Sequence, residues 1–211
     1  MVAFLFAARA AVLPVGSVNL IFAITGGIAC GKSAFAGFLA DAGCEILDAD
    51  ALVRGLQAPG GAALPPIRAA FGDAVFLPGG ALDRAALAAV VFNDPDARRA
   101  LEAITHPPVR AAFEAWRKQP SEKIRVAVIP LLFESGWQDD WPDTTCVATT
   151  PELQMERLRL RGLSEPEAAA RIRAQLPLSE KIRRARRVVW NNGTLGELRA
   201  KALQWIETAN V

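Results

Sequence analysis

Short, mostly apolar runs alternate with longer amphipathic segments along most of this chain. Helical spacing of apolar residues begins at Ala34, directly after the first run, and a closing helix is predicted from about Leu195 to Thr208. Alternation of strands and helices is typical of an α/β fold built on a parallel sheet. The pattern therefore predicts one α/β domain over residues 20–211. The five runs that predict buried strands lie at 20–24, 44–47, 124–129, 145–148 and 187–190.

A mostly helical segment separates the second and third strands, from about Ala51 to Lys118. Its frequent interruptions argue against a coiled coil and predict a compact helical insertion over about 55–118. His106 comes directly before the last interruption, and we expect it to be a structural loop residue rather than a catalyst. The four predicted breaks are Pro59–Gly61, Pro65–Pro66, Pro78–Gly80 and Pro107–Pro108.

The first 19 residues are apolar from Val2 to Ala8, with Arg9 as their one charge. This run is too short to span a bilayer. A signal peptide would also carry its positive charge before the apolar segment and not after it. We therefore predict a poorly ordered extension over 1–19 and no membrane partner.

Composition narrows the class of protein without deciding it. With 52% hydrophobic and 22% charged residues among 211, the chain is globular. The formal net charge of +2 does not indicate a nucleic-acid partner. Ten Lys and Arg residues between Arg157 and Arg187 face three acids there, which predicts either a solvated helical face or a lid over phosphates, at about 155–182. Three widely spaced cysteines are typical of reduced thiols in the cytoplasm.

The most specific motif is Gly26–Ser33, which matches the phosphate-loop pattern G-x-x-x-x-G-K-[ST]. It lies between a predicted strand and a predicted helix, so its backbone N–H groups and the helix dipole would suit a polyphosphate. Lys32 would reach the outer phosphates, and the Ser33 hydroxyl would ligate Mg²⁺. Cys30 is expected to fill a small position. The predicted nucleotide-binding residues are Gly26, Gly27, Ala29, Cys30, Gly31, Lys32, Ser33 and Ala34.

A pair of carboxylates, Asp48 and Asp50, follows the second predicted strand. Residues two apart in an extended segment point the same way. We expect this strand to lie next to the phosphate-loop strand, at the sheet edge where α/β proteins bind ligands. One carboxylate near Mg²⁺ and one near an acceptor hydroxyl would serve phosphoryl transfer to an alcohol. Alternatively, either aspartate caps the helix that begins near Ala51.

Further motifs follow in a fixed order, and the whole series resembles the dephospho-CoA kinase family, which phosphorylates the ribose 3′-hydroxyl of dephospho-CoA with ATP. The resemblance covers about Ile21 to Ala209. It implies a P-loop nucleoside-kinase-like three-layer fold: a five-stranded parallel sheet with helices on both faces, a helical substrate-binding insertion and a lid. The motifs that carry it are Thr25–Ser33, Asp48–Asp50 with Arg54, Leu82–Arg84, Val91–Phe92, Ile104–Pro107, Pro130–Glu134, Arg171–Ile172 with Gln175, and Asn191–Gly193.

The resemblance implies a role for each matching residue. Asp50 matches the catalytic base, and Asp48 resembles the residue that helps to hold Mg²⁺. Arg157 and Arg161, four apart on one helix face, look like lid arginines that neutralise the transferring charge. Glu134 is either a site residue or a charge at a helix N-terminus. The other implied contacts are Arg54, Asp83, Arg84 and His106 with the acceptor, and Asn191 and Asn192 with the adenine ring.

Two alternatives remain open at this stage. A nucleoside monophosphate kinase would share the strand, the loop and the arginine-rich lid. A GTPase switch is the more distant alternative, because the chain lacks the Asn-Lys-x-Asp segment that reads guanine. The predicted partner is a small molecule and not a nucleic acid, and we expect a cytoplasmic monomer or weak homo-oligomer that uses ATP and Mg²⁺.

Overall fold

The computed structural model describes residues 20–209, apart from the side chain of Asn93, and the predicted extension at 1–19 lies outside them. The chain is divided into two compact units. The described part of the first unit comprises residues 20–47 and 120–209, and the second unit is Asp48–Gln119. The predicted insertion, 55–118, falls in the second unit, and the predicted lid, 155–182, falls in the first.

Five parallel strands form one sheet, and every predicted strand is confirmed to within two residues at each end. The strand order is β2-β3-β1-β4-β5, so that β1 lies at the centre. Pairing of β1 with β3 aligns Ile21 with Arg125, and pairing with β4 aligns Gly26 with Val147. The strands are β1 (Ile21–Gly26), β2 (Glu45–Asp48), β3 (Arg125–Val128), β4 (Thr144–Ala148) and β5 (Arg187–Trp190).

The prediction that the second strand lies next to the phosphate-loop strand was wrong. β3 lies between β1 and β2, so β2 is an edge strand about 10 Å from β1 at the usual spacing of strands. The strand sequences fit this order: β2 begins and ends with an acidic residue, Glu45 and Asp48, and its residues are half-buried, whereas all four residues of β3 are buried. The more buried strand takes the inner position.

Helices follow the strands and complete the predicted three-layer α/β architecture. In the first unit they are α1 (Lys32–Asp41), α6 (Pro151–Leu160), α7 (Glu165–Arg173), α8 (Leu178–Arg184) and α9 (Leu195–Ala209). In the second unit they are α2 (Ala49–Leu56), α3 (Leu64–Phe71), α4 (Arg84–Asn93) and α5 (Pro95–Lys118). Within residues 20–209, none of the helices is both long and apolar enough to cross a membrane.

Trp205 of α9 organises the core of the first unit. Its ring meets Phe22 of β1 and Phe35 of α1 edge-on, with centroids 4.9 and 6.3 Å apart. Its indole N–H donates to Thr145 Oγ1 at 2.9 Å, so the one polar atom of this buried ring is satisfied. This packing holds α1, and with it the end of the phosphate loop, against the sheet.

The long helix α5 contradicts the predicted break at Pro107–Pro108, because it runs through both prolines. Each proline removes a backbone donor at a cost of about 3 kcal/mol in a helix interior. Burial of one face offsets this cost: Thr105, Val109, Phe113 and Trp116 are all buried, at helical spacing. His106 is therefore a half-buried helical residue and not a loop residue.

We predict that the stability of the fold falls at alkaline pH through its buried thiols. Burial raises the pKa of Cys146, in β4, from 9.0 to about 12. Because folding raises this pKa, the neutral thiol stabilises the fold below pH 9. This contribution to the free energy of unfolding is lost as the pH rises toward 12. In urea unfolding between pH 9 and 11, wild type should lose up to about 1.4 kcal/mol per pH unit more than Cys146→Ala. Parallel pH profiles for the two proteins would contradict this.

Candidate active site

The phosphate loop connects β1 to α1, as the sequence predicted, and β1 is the central strand of the sheet. Phe35 N–H makes an intrahelical bond to Gly31 O at 3.0 Å. The N–H groups of the three preceding residues thus lie at the helix N-terminus, where backbone donors have no intrahelical acceptor. Ala29 has φ 59, a left-handed conformation that costs a non-glycine residue about 1–2 kcal/mol. Such turns concentrate at ligand sites.

Lys32 and Ser33 are the first two residues of α1. Lys32 Nζ donates to the carbonyls of Gly26 at 3.0 Å and Gly27 at 2.8 Å, so its ammonium group lies over the loop. Ser33 is exposed, and its neighbour Ala34 is half-buried.

Cys30 is fully buried inside the loop. Burial raises the pKa of its thiol, although the nearby Lys32 charge acts in the opposite direction. The side chain is accordingly a neutral, space-filling thiol, in agreement with the sequence-based expectation.

Three side chains from distant parts of the first unit donate to three successive carbonyls of the loop. Two of them, Gln154 and Asn191, are almost fully buried. We call Gln154, Arg157 and Asn191 the carbonyl clamp. The bonds are Gln154 Nε2 to Ile28 O at 2.8 Å, Arg157 Nη1 to Ala29 O at 3.2 Å, and Asn191 Nδ2 to Cys30 O at 2.9 Å.

Sequence analysis missed Gln154, although a signal was available. Gln154 and Leu158 are four apart on α6, and both are buried. A polar residue on the apolar face of a helix needs a hydrogen-bond partner. That partner is the carbonyl of Ile28.

The predicted lid residues lie in different surroundings. Arg157 also donates through Nη2 to Asn191 O at 2.9 Å, so it ties the loop to the end of β5. Arg161 is the exposed C-terminal cap of α6. Apolar contacts reinforce the link, because Ala29 packs in one buried cluster with Leu158 and Ala168.

Asn191 and Asn192 differ in burial. Asn191 O accepts from Thr149 Oγ1 at 2.9 Å, and the Asn191 side chain is committed to the loop. Asn192 is exposed, and its Oδ1 accepts from Thr149 Oγ1 at 3.1 Å. The predicted contact of both residues with adenine stays a prediction.

Glu134 lies in a turn and not at the start of a helix of its own, and the alternative that it is a site residue stays a prediction. Its carboxylate pairs with Lys181 of α8, with Nζ and Oε1 2.7 Å apart, and accepts from Leu176 N–H at 3.0 Å. Lys181 is fully buried and also donates to Pro130 O at 2.9 Å. Thr25 Oγ1 donates to that same carbonyl at 3.2 Å, directly before the phosphate loop. No local pattern singles out Lys181, since basic residues near a helix end are usually solvated.

The carboxylate pair of the second unit adopts a different geometry from the one expected. Asp48 is the N-cap of α2 and accepts from Ala51 N–H at 2.8 Å. Asp50 is an exposed residue in the first turn of that helix. Because the helix begins at Ala49, the alternation rule for extended chains does not apply to the two carboxylates.

The remaining predicted acceptor residues also belong to the second unit. Asp83 caps α4 by accepting from the N–H groups of Ala85 and Ala86, both at 3.0 Å. Arg84 Nη2 donates to the backbone carbonyl of Arg54 at 3.1 Å, which brings the two arginine positions together. His106 belongs to another helix, α5.

A central parallel strand, a phosphate loop at a helix N-terminus and an arginine-bearing helix bound to that loop define the class of P-loop kinases. A family model described as dephospho-CoA kinase matches residues 20–197. The chain belongs to the dephospho-CoA kinase family.

Individual relatives agree with this assignment. A dephospho-CoA kinase of Symbiobacterium thermophilum is 47% identical over 187 residues, which are 86% of this chain and 77% of the relative. A Thermus thermophilus protein of known crystal structure has 40% sequence identity to this chain. The two structures match with a TM-score of 0.76, over 90% of this chain and 96% of the other. Dephospho-CoA kinase from Campylobacter jejuni is 28% identical with a TM-score of 0.65, covering 91% of this chain and 97% of the other.

We predict that Glu134→Gln destabilises the first unit, because it leaves the buried Lys181 ammonium without a carboxylate. Breaking a buried ion pair costs about 3–5 kcal/mol, and the value should fall at the low end because glutamine can still accept from Leu176 N–H. Chemical unfolding measures the loss. As a control, Glu165→Gln removes the partner of Arg159 in an exposed pair and should cost at most about 1 kcal/mol. Equal losses for the two variants would contradict the role of Lys181.

Proposed function

We propose that this protein transfers the γ-phosphoryl group of ATP to the ribose 3′-hydroxyl of dephospho-CoA, the last step of CoA biosynthesis. The observation that carries the proposal is the family match, which spans the phosphate loop, the Asp48–Asp50 pair and Asn191. The products are CoA and ADP. We place the reaction in the cytoplasm, since the three cysteines are free thiols that suit a reducing compartment.

The phosphate loop binds the triphosphate. Backbone N–H groups at the start of α1 provide fixed donors, and the helix dipole adds positive potential. Lys32, which lies over the loop, moves its ammonium group from the loop carbonyls to the outer phosphates. Arg157 and Arg161 of the lid spread the charge that develops on the moving phosphoryl group. Because the Asn191 amide is bound to Cys30 O, side-chain contact with adenine falls mainly to Asn192.

Asp50 acts as the general base. An alcohol is a weak nucleophile at neutral pH, so a positioned carboxylate that accepts its proton lowers the barrier. Two features of Asp50 support this assignment: it is exposed, and it lies two residues past the end of β2. The carboxyl ends of parallel strands form the ligand-binding edge of such sheets. Exclusion of water by the lid then favours the sugar hydroxyl as acceptor.

Mg²⁺ would be held by Ser33 and Asp48, and the donor chemistry fits. Ser33 offers an exposed hydroxyl, and the helix cap uses one of the two oxygens of Asp48. Within residues 20–209, no three His, Cys, Asp or Glu side chains gather as a metal site. This is compatible with Mg²⁺, which commonly takes one or two protein ligands together with water and substrate phosphates. When bound, the ion neutralises charge on the leaving phosphates.

The second unit receives the acceptor. Dephospho-CoA carries a pyrophosphate, and arginine guanidinium groups suit phosphate oxygens. Arg54 and Arg84 are adjacent through the hydrogen bond between Arg84 Nη2 and Arg54 O. Asp83 fixes the start of the helix that carries Arg84. His106 is assigned to the same acceptor region.

The expected oligomeric state of the protein stays a monomer or a weak homo-oligomer.

Mass spectrometry of a reaction with ATP and dephospho-CoA tests the proposal. The expected result is CoA, which is dephospho-CoA with one phosphoryl group added at the 3′-position, and an equal amount of ADP. Parallel reactions with nucleoside monophosphates provide the comparison. Phosphorylation of those acceptors and not of dephospho-CoA would overturn the proposal.

We predict that Asp50→Asn lowers kcat by at least about 10²-fold, because asparagine cannot accept the hydroxyl proton. The KM for ATP should change little. Steady-state kinetics measures both values, with Asp41→Asn as a control aspartate at the exposed end of α1. Turnover near the wild-type rate in Asp50→Asn would remove this residue from the role of base.

A further inference from the structure

The carbonyl clamp binds the backbone of the phosphate loop, and the geometry of a trans peptide shows how this orients the N–H groups of the loop. The carbonyl of one residue and the N–H of the next point in opposite directions in a planar trans peptide. None of the described peptide bonds is cis. Holding the carbonyls of Ile28 and Cys30 on the clamp side therefore directs the N–H groups of Ala29 and Gly31 to the other side.

The N–H of Cys30, in contrast to those of Ala29 and Gly31, is used within the loop. It closes a turn by donating to Gly27 O at 3.3 Å. Gly27 O also accepts from Lys32 Nζ. Every carbonyl from Gly26 to Cys30 is thus engaged by a side chain: Lys32 engages the first two, and the carbonyl clamp engages the last three.

Space around the loop glycines gives independent support. A Cβ atom at Gly27 would lie 2.7 Å from Gln154 Nε2, and one at Gly31 would lie 2.2 Å from Asn191 Nδ2. Both distances are far below van der Waals contact. These glycines therefore leave the room that the two clamp amides occupy.

We propose that Gln154 is a positioning residue for nucleotide binding, which acts with Arg157 and Asn191 by fixing the peptide planes of the phosphate loop. Gln154 is the informative member, because it is uncharged and 4% exposed and its amide donates to the backbone of Ile28. Without this donor the half-buried Ile28 loses the partner of its carbonyl, and the peptide between Ile28 and Ala29 can rotate. The inference rests on the proposed function only in taking a nucleotide as the ligand of the loop.

Binding of ADP to the intact enzyme tests the proposal without turnover. We expect Gln154→Leu to raise the Kd for ADP about tenfold, the scale for one unsatisfied buried hydrogen-bonding group. The KM for ATP should rise in parallel, and the KM for dephospho-CoA should stay within about twofold. Glu156→Leu, a polar-to-leucine change at an exposed position of the same helix, is the matched control and should leave the Kd unchanged.

A purely structural role for Gln154 gives a different result. The thermal midpoint of Gln154→Leu would then fall while the Kd for ADP, measured well below that midpoint, stayed at the wild-type value. That outcome would overturn the proposal. Normal CoA production together with a wild-type Kd would overturn it and leave the proposed function standing. If Gln154→Leu binds ADP more weakly but the wild-type protein does not phosphorylate dephospho-CoA, the proposal is supported and the proposed function is overturned.

A second set of variants approaches the contact from the loop and does not depend on the folding of Gln154→Leu. Gly27→Ala alone should raise the Kd for ADP, since its Cβ displaces the Gln154 amide. In the Gln154→Ala background the shorter side chain makes room, so the same change should have a clearly smaller effect. Equal fold-changes of Gly27→Ala in both backgrounds would contradict the proposal.

Discussion

Hydrogen bonds to the carbonyls of the phosphate loop are the interaction on which the rest of the structure depends. A loop that binds an anion through its N–H groups must dispose of its carbonyl oxygens, which would repel phosphate and cost free energy if buried without partners. In this protein the donors come from α6 and from the residue that follows β5, and the loop's own lysine adds to them while no phosphate is bound. The order of the sheet suits this arrangement, because β1 is central and the chain reaches the loop again after β4 and β5.

This arrangement connects the phosphate loop to the helices that follow β4. α6 contributes Gln154 and Arg157 to the loop, and its Leu158 packs against Ala29. Lys181 of α8 joins the segment after β3 through Glu134 and Pro130. Gln175, between α7 and α8, accepts from Ile28 N–H at 2.8 Å. Helix α6 and the connection between α7 and α8 therefore both hold the phosphate loop.

Local pattern was sufficient for the strands and the phosphate loop, because apolar runs and the glycine-lysine spacing are contiguous in sequence. It failed where a longer-range interaction decides the structure. Pro107 and Pro108 stay helical because Val109 and Phe113 bury the same face of α5. The half-buried residues of β2 place it at the sheet edge, which separates it from β1. Gln154 and Lys181 were missed since polar residues in helices are usually solvated, and only the fold shows which backbone groups they satisfy.

The most direct test of the account is a crystal structure with Mg·ADP and dephospho-CoA bound. The account predicts the β-phosphate against the N–H groups at the start of α1, with the clamp bonds to Ile28 and Cys30 retained. It also predicts an Asp50 carboxylate oxygen within hydrogen-bonding distance of the ribose 3′-hydroxyl. A loop whose carbonyls have left the clamp in the bound state, or another acid at that hydroxyl, would contradict it.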